Sequence, residues 1–207
     1  MVRERTKNRD FQDILIIPAT DVKPGLDISS QYPTPGPLEV DVGCGRGRFL
    51  QARALSHPHI NFLGIDRVSL RLRKIDRRAN QAGLANIRLI QGNALHVIQD
   101  ILTPGSVSVF YIFYPDPWPK RRHQNHRLVS PPFIDLLHAT LIESGSIHLC
   151  TDHVDYFLAI QKLFTADSRF VEIPHFLPCA EEETDFGILF RTQDRPARRC
   201  SFQKKPL

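Results

Sequence analysis

The sequence contains no long hydrophobic run, and this absence excludes a protein with a membrane-spanning helix. Its longest apolar stretch, residues 107–113, has the length of a strand and falls far short of the ~20 residues that a membrane-spanning helix needs. The basic residues near the N-terminus, within residues 3–9, are followed by no apolar segment, so they do not form a secretory signal. We therefore expect a cytoplasmic protein that does not enter a membrane.

Cysteine is scarce, and its spacing argues against disulfides and zinc sites. The four cysteines lack any C-x-x-C pair; they are Cys44, Cys150, Cys179 and Cys200. Histidine is more frequent, with nine residues. The pairs His57 with His59 and His123 with His126 nevertheless lack a third partner at a recognisable metal-binding spacing. The sequence therefore predicts reduced thiols and no bound metal.

The composition is that of a globular protein with a basic surface. Of its 207 residues 42% are hydrophobic, which is enough to bury the core of one domain. A net charge of +5 and a pI of about 9.2 favour a polyanionic partner. The basic residues are concentrated in segments 3–9, 67–78, 120–127 and 195–205. Because charge runs are more often solvated surface, this pattern alone is only weak evidence for nucleic-acid binding.

Short apolar runs alternate with longer amphipathic ones after residue 37, a pattern typical of parallel strands joined by helices. The clearest helix is predicted over residues 69–82, where Leu72, Ile75 and Ala79 share one face. Strands are predicted over residues 38–42, 61–65, 87–91, 107–113 and 145–150. Beyond them the pattern predicts a helix over 155–166, a strand around 169–173, an acidic helical stretch around 181–190 and a strand around 198–203.

This alternation predicts an α/β fold with a doubly wound, mostly parallel, Rossmann-like sheet of about seven strands. An antiparallel hairpin is expected at the C-terminal edge of the sheet. We expect the ordered core to begin near Leu38. Residues 1–37 would then form a basic, partly flexible arm, and residues 38–207 a single domain.

Three glycines follow the first predicted strand in a G-x-G-x-G pattern: Gly43, Gly45 and Gly47. Without a Cβ they allow a sharp turn and the close approach of a ligand. The spacing differs from the G-x-G-x-x-G of dinucleotide folds, which argues against a nicotinamide oxidoreductase. S-adenosylmethionine has no pyrophosphate but carries an amino group and a sulfonium, so the Asp41 carboxylate beside the turn suits it. We therefore predict a site for this methyl donor.

Two more strand ends agree with this prediction. Asp66 ends the second strand, where its carboxylate can accept hydrogen bonds from both ribose hydroxyls. Asn93, followed by Ala94, ends the third strand, where its amide can meet the adenine. The alternative, an ordinary turn with solvated acids, becomes less favourable when three strand ends agree.

The fourth strand is followed by a proline-rich loop, residues 114–123, that carries Asp116 and Trp118. Three prolines make a stiff rim at the edge of the sheet that faces the methyl donor. Asp116, the candidate catalytic residue, can accept hydrogen bonds from N1 and N2 of a flipped guanine, and Trp118 can stack on it. The predicted phosphate ligands are Lys120, Arg121, Arg122 and Arg127. The alternative is a stiff surface turn around a buried Trp118.

The string Tyr-Pro-Asp-Pro-Trp-Pro-Lys at residues 114–120 resembles the F-P-D-P-W-P-K signature of the tRNA (guanine-N7)-methyltransferases. The likeness spans residues 38 to about 156 and includes the glycine turn, Asp66, Asn93-Ala94, Arg127-Leu128 and Thr151-Asp152. The resemblance implies a tRNA partner and methylation of N7 of guanine 46 in the variable loop. Because N7 keeps a free lone pair, this reaction needs alignment and no general base. The resemblance also implies that Lys120 and Asp152 contact the acceptor.

The chain departs from the family pattern at several positions. Asp41 and Asp66 stand where the family usually has Glu, which preserves the carboxylates. Asn93 stands where it has Asp, which removes a charge. A T-x-x-E-type motif of the acceptor pocket is best matched at residues 184–187, which lack the final acid. Thr184 and Asp185 are the corresponding candidate guanine contacts.

Two other functions remain open from the sequence. One is a methyltransferase with the same donor site and a protein or small-molecule acceptor. The other is an RNA-binding module that keeps a degenerate donor pocket, a possibility suggested by Asn93 and by the missing acid at Gly187. The expected assembly is a monomer or a homodimer.

Overall fold

The computed structural model describes residues 15–17, 21–24 and 26–206. The strands are β1 (Leu38–Val42), β2 (Asn61–Asp66), β3 (Ile87–Gln91), β4 (Val107–Phe113), β5 (Leu141–Thr151), β6 (Phe170–Ile173) and β7 (Arg198–Lys204). The helices are α1 (Arg48–Ser56), α2 (Ser69–Gln81), α3 (Ala94–Ile101), α4 (Pro131–Thr140), α5 (Val154–Thr165) and α6 (Asp185–Thr192). Two 3₁₀ helices, Ile28–Gln31 and Arg121–His126, complete the described elements.

The seven strands form one sheet in the order β3-β2-β1-β4-β5-β7-β6. Strand β7 is antiparallel to both of its neighbours, and the other pairs are parallel. The mostly parallel sheet with an antiparallel hairpin at its C-terminal edge is therefore confirmed. The strand order reverses between β1 and β4, and open α/β sheets bind ligands in the crevice at such a switch point.

Helices cover both faces of the sheet, because successive side chains of a strand point to opposite faces. In β2, Phe62 packs with Leu50 of α1 and Leu72 of α2. The next residue, Leu63, belongs to the other core, with Val97 of α3. Helices α4 and α5 contribute to that same core. The predicted doubly wound arrangement follows from this alternation.

Helix α6 begins at Asp185, four residues after the predicted start of the acidic helical stretch. The side chain of Thr184 caps the helix by accepting a hydrogen bond from the Gly187 N–H at 2.9 Å, and such a cap marks a helix start. The preceding residues turn instead, with the Glu182 N–H donating to the Cys179 carbonyl at 3.1 Å. Capping therefore decides this boundary more strongly than composition.

The buried core starts before Leu38, in contrast to the expectation from the sequence. Leu15 and Ile17 are only 3% and 4% exposed. The Ile17 N–H donates to the Leu89 carbonyl of the edge strand β3 at 2.9 Å. The Leu89 N–H in turn donates to the Leu15 carbonyl at 2.9 Å, so the backbone of this segment pairs with an otherwise open edge strand, a common protection for sheet edges. Four basic residues of the predicted arm lie outside the described residues: Arg3, Arg5, Lys7 and Arg9.

Candidate functional site

The register of β1 and β4 brings two loops to the same edge of the sheet. Asp41 pairs with Tyr111 across these adjacent parallel strands. Gly43 and Phe113 each lie two residues further on, so the glycine turn and the proline-rich loop leave the sheet side by side. Both loops therefore lie at one edge of the sheet, as predicted from the sequence.

A cavity of about 480 Å³ lies at this edge. Its floor includes Asp41, the glycine turn and the end of β4, with Phe113 and Tyr114. Helix α6 forms the opposite wall, through residues Thr184, Asp185, Phe186, Ile188, Leu189 and Thr192. Thr184 and Asp185, expected at the acceptor, therefore lie against the turn expected to bind the donor. The rest of this wall was not anticipated from the sequence.

The three glycines of the turn have two different roles. Gly43, Gly45 and Gly47 all adopt the left-handed region, with φ of 80°, 56° and 73°, which glycine adopts without strain. A Cβ on Gly43 would contact nothing within 4 Å, and one on Gly45 only the Gly43 carbonyl at 3.8 Å. A Cβ on Gly47 would lie 2.5 Å from the Ile75 side chain of α2. The first two glycines thus leave space at the cavity, whereas the third allows close packing.

Two carboxylates beside the turn differ in their surroundings. Asp66 accepts hydrogen bonds from the Gly45 N–H at 2.9 Å and the Val68 N–H at 2.8 Å, and lies 3.6 Å from the Arg71 guanidinium. Asp41 lines the cavity, and burial together with the neighbouring Asp66 charge raises its pKa to about 7. A cation placed in the cavity would therefore stabilise the ionised Asp41.

Asn93 has a structural task of its own. Its Oδ1 accepts a hydrogen bond from the Leu95 N–H at 3.0 Å and so caps α3, whose first residue is Ala94. Neither residue lines the cavity of about 480 Å³. A cofactor contact by Asn93 and Ala94 stays a prediction.

The proline-rich loop has two residues in an unusual backbone conformation. Tyr114 and Trp118 have φ of 52° and 41°, a region uncommon for residues other than glycine and found often at functional sites. The Trp118 side chain is 37% exposed and lies against His126, with ring centroids 5.1 Å apart. Asp116 is exposed as well. The loop therefore presents both side chains at the surface, unlike a turn around a buried tryptophan.

Arg127 braces this loop from inside. Its Nε donates to the Pro117 carbonyl at 2.9 Å, and its guanidinium lies 4.7 Å from the centroid of the Tyr156 ring. Its Nη2 is buried and has no hydrogen-bond partner among the residues described. The other predicted phosphate ligands are exposed: Lys120, Arg121 and Arg122.

Comparison with known proteins identifies the family. A protein-family model described as "Putative methyltransferase" matches residues 35–199. The chain belongs to this family. The tRNA (guanine-N(7)-)-methyltransferase of Bordetella parapertussis is 32% identical over 167 residues, which are 77% of this chain and 65% of that protein. The enzyme of the same name from Nocardia farcinica is 35% identical over 131 residues, 63% of this chain and 49% of that protein.

The match confirms the family resemblance seen in the sequence, although the chain spans less than two thirds of the length of these curated relatives. The crystal structure of the 16S rRNA methyltransferase KamB superimposes on the chain with a TM-score of 0.64 and 17% sequence identity. That alignment covers 86% of this chain and 91% of KamB. At this identity the likeness concerns the fold, which is that of a methyltransferase.

In this methyltransferase fold, α6 is held at the cavity by charged contacts at both ends. Arg53 of α1 lies 3.3 Å from both Glu39 and Glu182, which fixes the segment ahead of the helix. Beyond the helix, Arg195 forms an ion pair with Asp152. Asp152, predicted to contact the acceptor, is therefore engaged with Arg195 in this structure. Pairs so far apart in sequence leave no local signal.

Three further findings concern the residues that the structure describes. No helix in the described part of the chain is long and apolar enough to cross a bilayer. All four cysteines are free. Within the described residues, no group of three or more His, Cys, Asp or Glu side chains is arranged to hold a metal ion.

Proposed function

We propose that the protein transfers the methyl group of S-adenosylmethionine to N7 of guanine 46 in the variable loop of tRNA. The observation that carries the proposal is the juxtaposition of the glycine turn and the Asp116 loop, which leave adjacent strands at one edge of the sheet. Membership of a methyltransferase family supports the reaction type. The names of the curated relatives support the acceptor.

The residues around the cavity fit S-adenosylmethionine. The cavity volume of about 480 Å³ is within the range of small-molecule sites. Gly43 and Gly45 leave open space where side chains would otherwise project. Asp41 provides a buried carboxylate for a positively charged ligand. When bound, the donor supplies an electrophilic methyl group.

The remaining donor contacts follow from chemistry. Each Asp66 oxygen accepts one hydrogen bond from a backbone N–H and has a second lone pair, so the carboxylate can also accept from a ribose hydroxyl. The Gly47 backbone lines the cavity and would follow the amino-acid portion of the donor. Asn93 and Ala94 would border the adenine.

On the acceptor side, the residues bind and orient the guanine without gaining or losing a proton. Asp116 accepts hydrogen bonds from N1 and N2 of the flipped guanine, and Trp118 stacks on its face. Lys120, Arg121 and Arg122 neutralise the neighbouring phosphates. The guanine N7 lone pair then needs only in-line alignment with the methyl carbon and the sulfur.

The test is to incubate the protein with labelled S-adenosylmethionine and tRNA transcripts, and to map N7-methylguanosine by chemical cleavage at the modified base. We expect cleavage at guanine 46, and none in a transcript with adenosine at that position. Labelling of protein extract in place of tRNA would indicate another acceptor. Absence of donor binding in a titration would favour the RNA-binding module.

A further inference from the structure

Charged side chains of both signs line the cavity of about 480 Å³ that is proposed to hold the methyl donor, the donor cavity. Two are the carboxylates of Asp41 and Asp185, and three are the guanidinium groups of Arg46, Arg48 and Arg71. The proposed function assigns Asp41 to the positive charge of S-adenosylmethionine and assigns nothing to the arginines. This donor also carries a carboxylate, on the carbon that bears its amino group. Its amino-acid end therefore calls for a cation in the cavity as well as an anion.

The three arginines of the lining differ in what their side chains contact. Arg71 lies 3.6 Å from Asp66, so a carboxylate already offsets its charge. Arg46 is exposed, and its side chain has no hydrogen-bond partner among the described residues. The Arg48 Nε donates to the Glu183 carbonyl at 2.9 Å. Of the three guanidinium groups, that of Arg48 is therefore the one held in place without being paired to a carboxylate.

The hydrogen bond of Arg48 joins two walls of the donor cavity. Arg48 is the first residue of α1 and follows Gly47, whose backbone is expected to follow the amino-acid portion of the donor. Glu183 immediately precedes Thr184, which caps α6 and lines the cavity. The guanidinium of Arg48 thus lies between the glycine turn and the start of the α6 wall. This is the end of the cavity where the carboxylate of the donor is expected.

The Glu183 carbonyl that holds Arg48 is itself fixed by neighbouring ion pairs. The buried carboxylate of Glu182 lies 3.3 Å from Arg53, which belongs to α1 as Arg48 does. The side chain of Glu183 lies 2.8 Å from Arg191 of α6. The position of the Arg48 guanidinium is therefore set before any ligand binds. A group held in advance loses less conformational freedom on binding, which favours affinity.

The Arg48 guanidinium keeps most of its hydrogen-bonding capacity. Arginine has five N–H donors, and the Nε–H is the one that Glu183 accepts. The pKa of Glu181 is lowered by hydrogen bonds to its own backbone and to Cys179, and further by the charge of Arg48. No ion pair joins Arg48 and Glu181 in the described part of the chain. The two Nη nitrogens of Arg48 can therefore bind both oxygens of one carboxylate.

We propose that Arg48 binds the α-carboxylate of S-adenosylmethionine through its Nη groups and so selects a donor with an intact amino-acid end. This inference rests on the proposed function, which assigns the cavity to this donor. Arg48 and Asp41 line the same cavity with opposite charges, which complements a ligand that carries a cation and an anion a few bonds apart. Asp41 by itself would attract any cationic nucleoside. Arg48 adds the discrimination against one that lacks the carboxylate.

The test is a calorimetric titration of two ligands into the wild type and Arg48→Gln. The ligands are S-adenosylmethionine and decarboxylated S-adenosylmethionine, in which a hydrogen replaces the carboxylate. We expect Arg48→Gln to weaken binding of S-adenosylmethionine by about tenfold, as for loss of a charge-assisted contact. The wild type should bind the decarboxylated ligand more weakly by a similar factor. In Arg48→Gln the two ligands should differ by less than about twofold, because the contact is already lost.

Two further variants control for charge and for geometry. Arg77→Gln removes the same charge from an exposed position of α2 outside the cavity lining, and it should keep the wild-type ratio of the two affinities. Arg48→Lys keeps the charge but replaces the planar fork by a single ammonium group. This variant should discriminate between the two ligands by only a few-fold. A full wild-type ratio in Arg48→Lys would contradict a contact through both Nη groups.

The outcomes separate the Arg48 contact from a structural role and from the proposed function. If Arg48 acts only by holding the segment before α6, Arg48→Gln weakens binding of both ligands equally, and the contact is refuted. Loss of discrimination in Arg46→Gln instead of Arg48→Gln would also refute it, by assigning the carboxylate to Arg46. If the wild type binds both ligands equally well, the contact fails and the proposed function stands. If it binds neither, the proposed function fails, and the Arg48 contact with it.

Discussion

The donor half and the acceptor half of the proposed site are built in different ways. The donor half comes from residues 41–66, in which two buried carboxylates lie at the ends of adjacent strands and a backbone turn follows the first of them. The acceptor half combines the loop after β4, the end of β5 and the start of β7, and it shares helix α6 with the donor cavity. Long-range contacts hold it together, such as those of Arg127 with Pro117 and Arg195 with Asp152. Donor binding should therefore respond to changes at the turn, and acceptor recognition to changes far apart in sequence.

The sharpest separation of the two halves is expected from Asp116→Ala. Loss of the group that orients the guanine should lower methylation by at least about a hundredfold. Donor affinity and Tm should not change, because Asp116 is exposed and lies outside the donor cavity. Steady-state methylation, calorimetric titration of the donor and thermal unfolding measure the three effects. Asp100→Ala, at another exposed aspartate, is the control, and wild-type turnover in Asp116→Ala would refute the assignment.

Asp41→Asn tests the donor half of the site, because it removes the buried carboxylate from the cavity. Loss of the carboxylate should weaken S-adenosylmethionine binding by about thirtyfold, as for a charge-assisted contact. The folded-state pKa of Asp41 is raised from 3.8 to about 7. The stability that protonated Asp41 contributes is therefore present below the lower value and lost as the pH rises through the higher one.

The asparagine side chain does not ionise, so this variant should unfold at higher denaturant concentration than the wild type at pH 8. The difference should be smaller at pH 5, which lies between the two pKa values, so that only part of the stability has been lost there. Urea titrations at both pH values measure it. An advantage of equal size at both would contradict the assigned pKa.

The pH dependence of donor binding is a second test of the raised pKa of Asp41. A cationic donor binds the ionised form of Asp41, whose pKa is raised to about 7 by burial and by Asp66. Affinity for S-adenosylmethionine should therefore increase by about eightfold between about pH 6 and about pH 7.5, with release of a proton on binding. Titrations in two buffers of different ionisation enthalpy measure the proton. An equally steep profile in Asp41→Asn would assign the proton to another group.

The smallest effect is expected from joint replacement of Lys120 and Arg121 by Ala. Two fewer phosphate contacts should weaken tRNA binding and reduce the slope of log affinity against log salt by about two. Donor affinity should not change. Lys162→Ala is the control, because Lys162 lies in the last turn of α5, which runs away from the edge that carries the site. An unchanged slope in the double variant would show that neither residue contacts a phosphate of the tRNA.

Much of the fold could be predicted because its signals are local. Strands β1, β3 and β4 have the bounds that their apolar runs indicate, and α2 ends one residue before its predicted end. The start and position of helix α6 depend on contacts that are not apparent from an apolar run. Its start depends on the Thr184 cap, and its position depends on Arg53, whose partner Glu182 is 129 residues away.

The sequence by itself determined the class of fold, the glycine turn with its carboxylates and the unusual loop around Asp116, because each of these depends on neighbouring residues. Only the tertiary structure decided which side chains meet. It placed α6 over the turn, turned Arg127 inward and packed the Tyr114 ring against α6. Contacts of this kind join residues far apart in the chain, and no local pattern of hydrophobicity or charge records them.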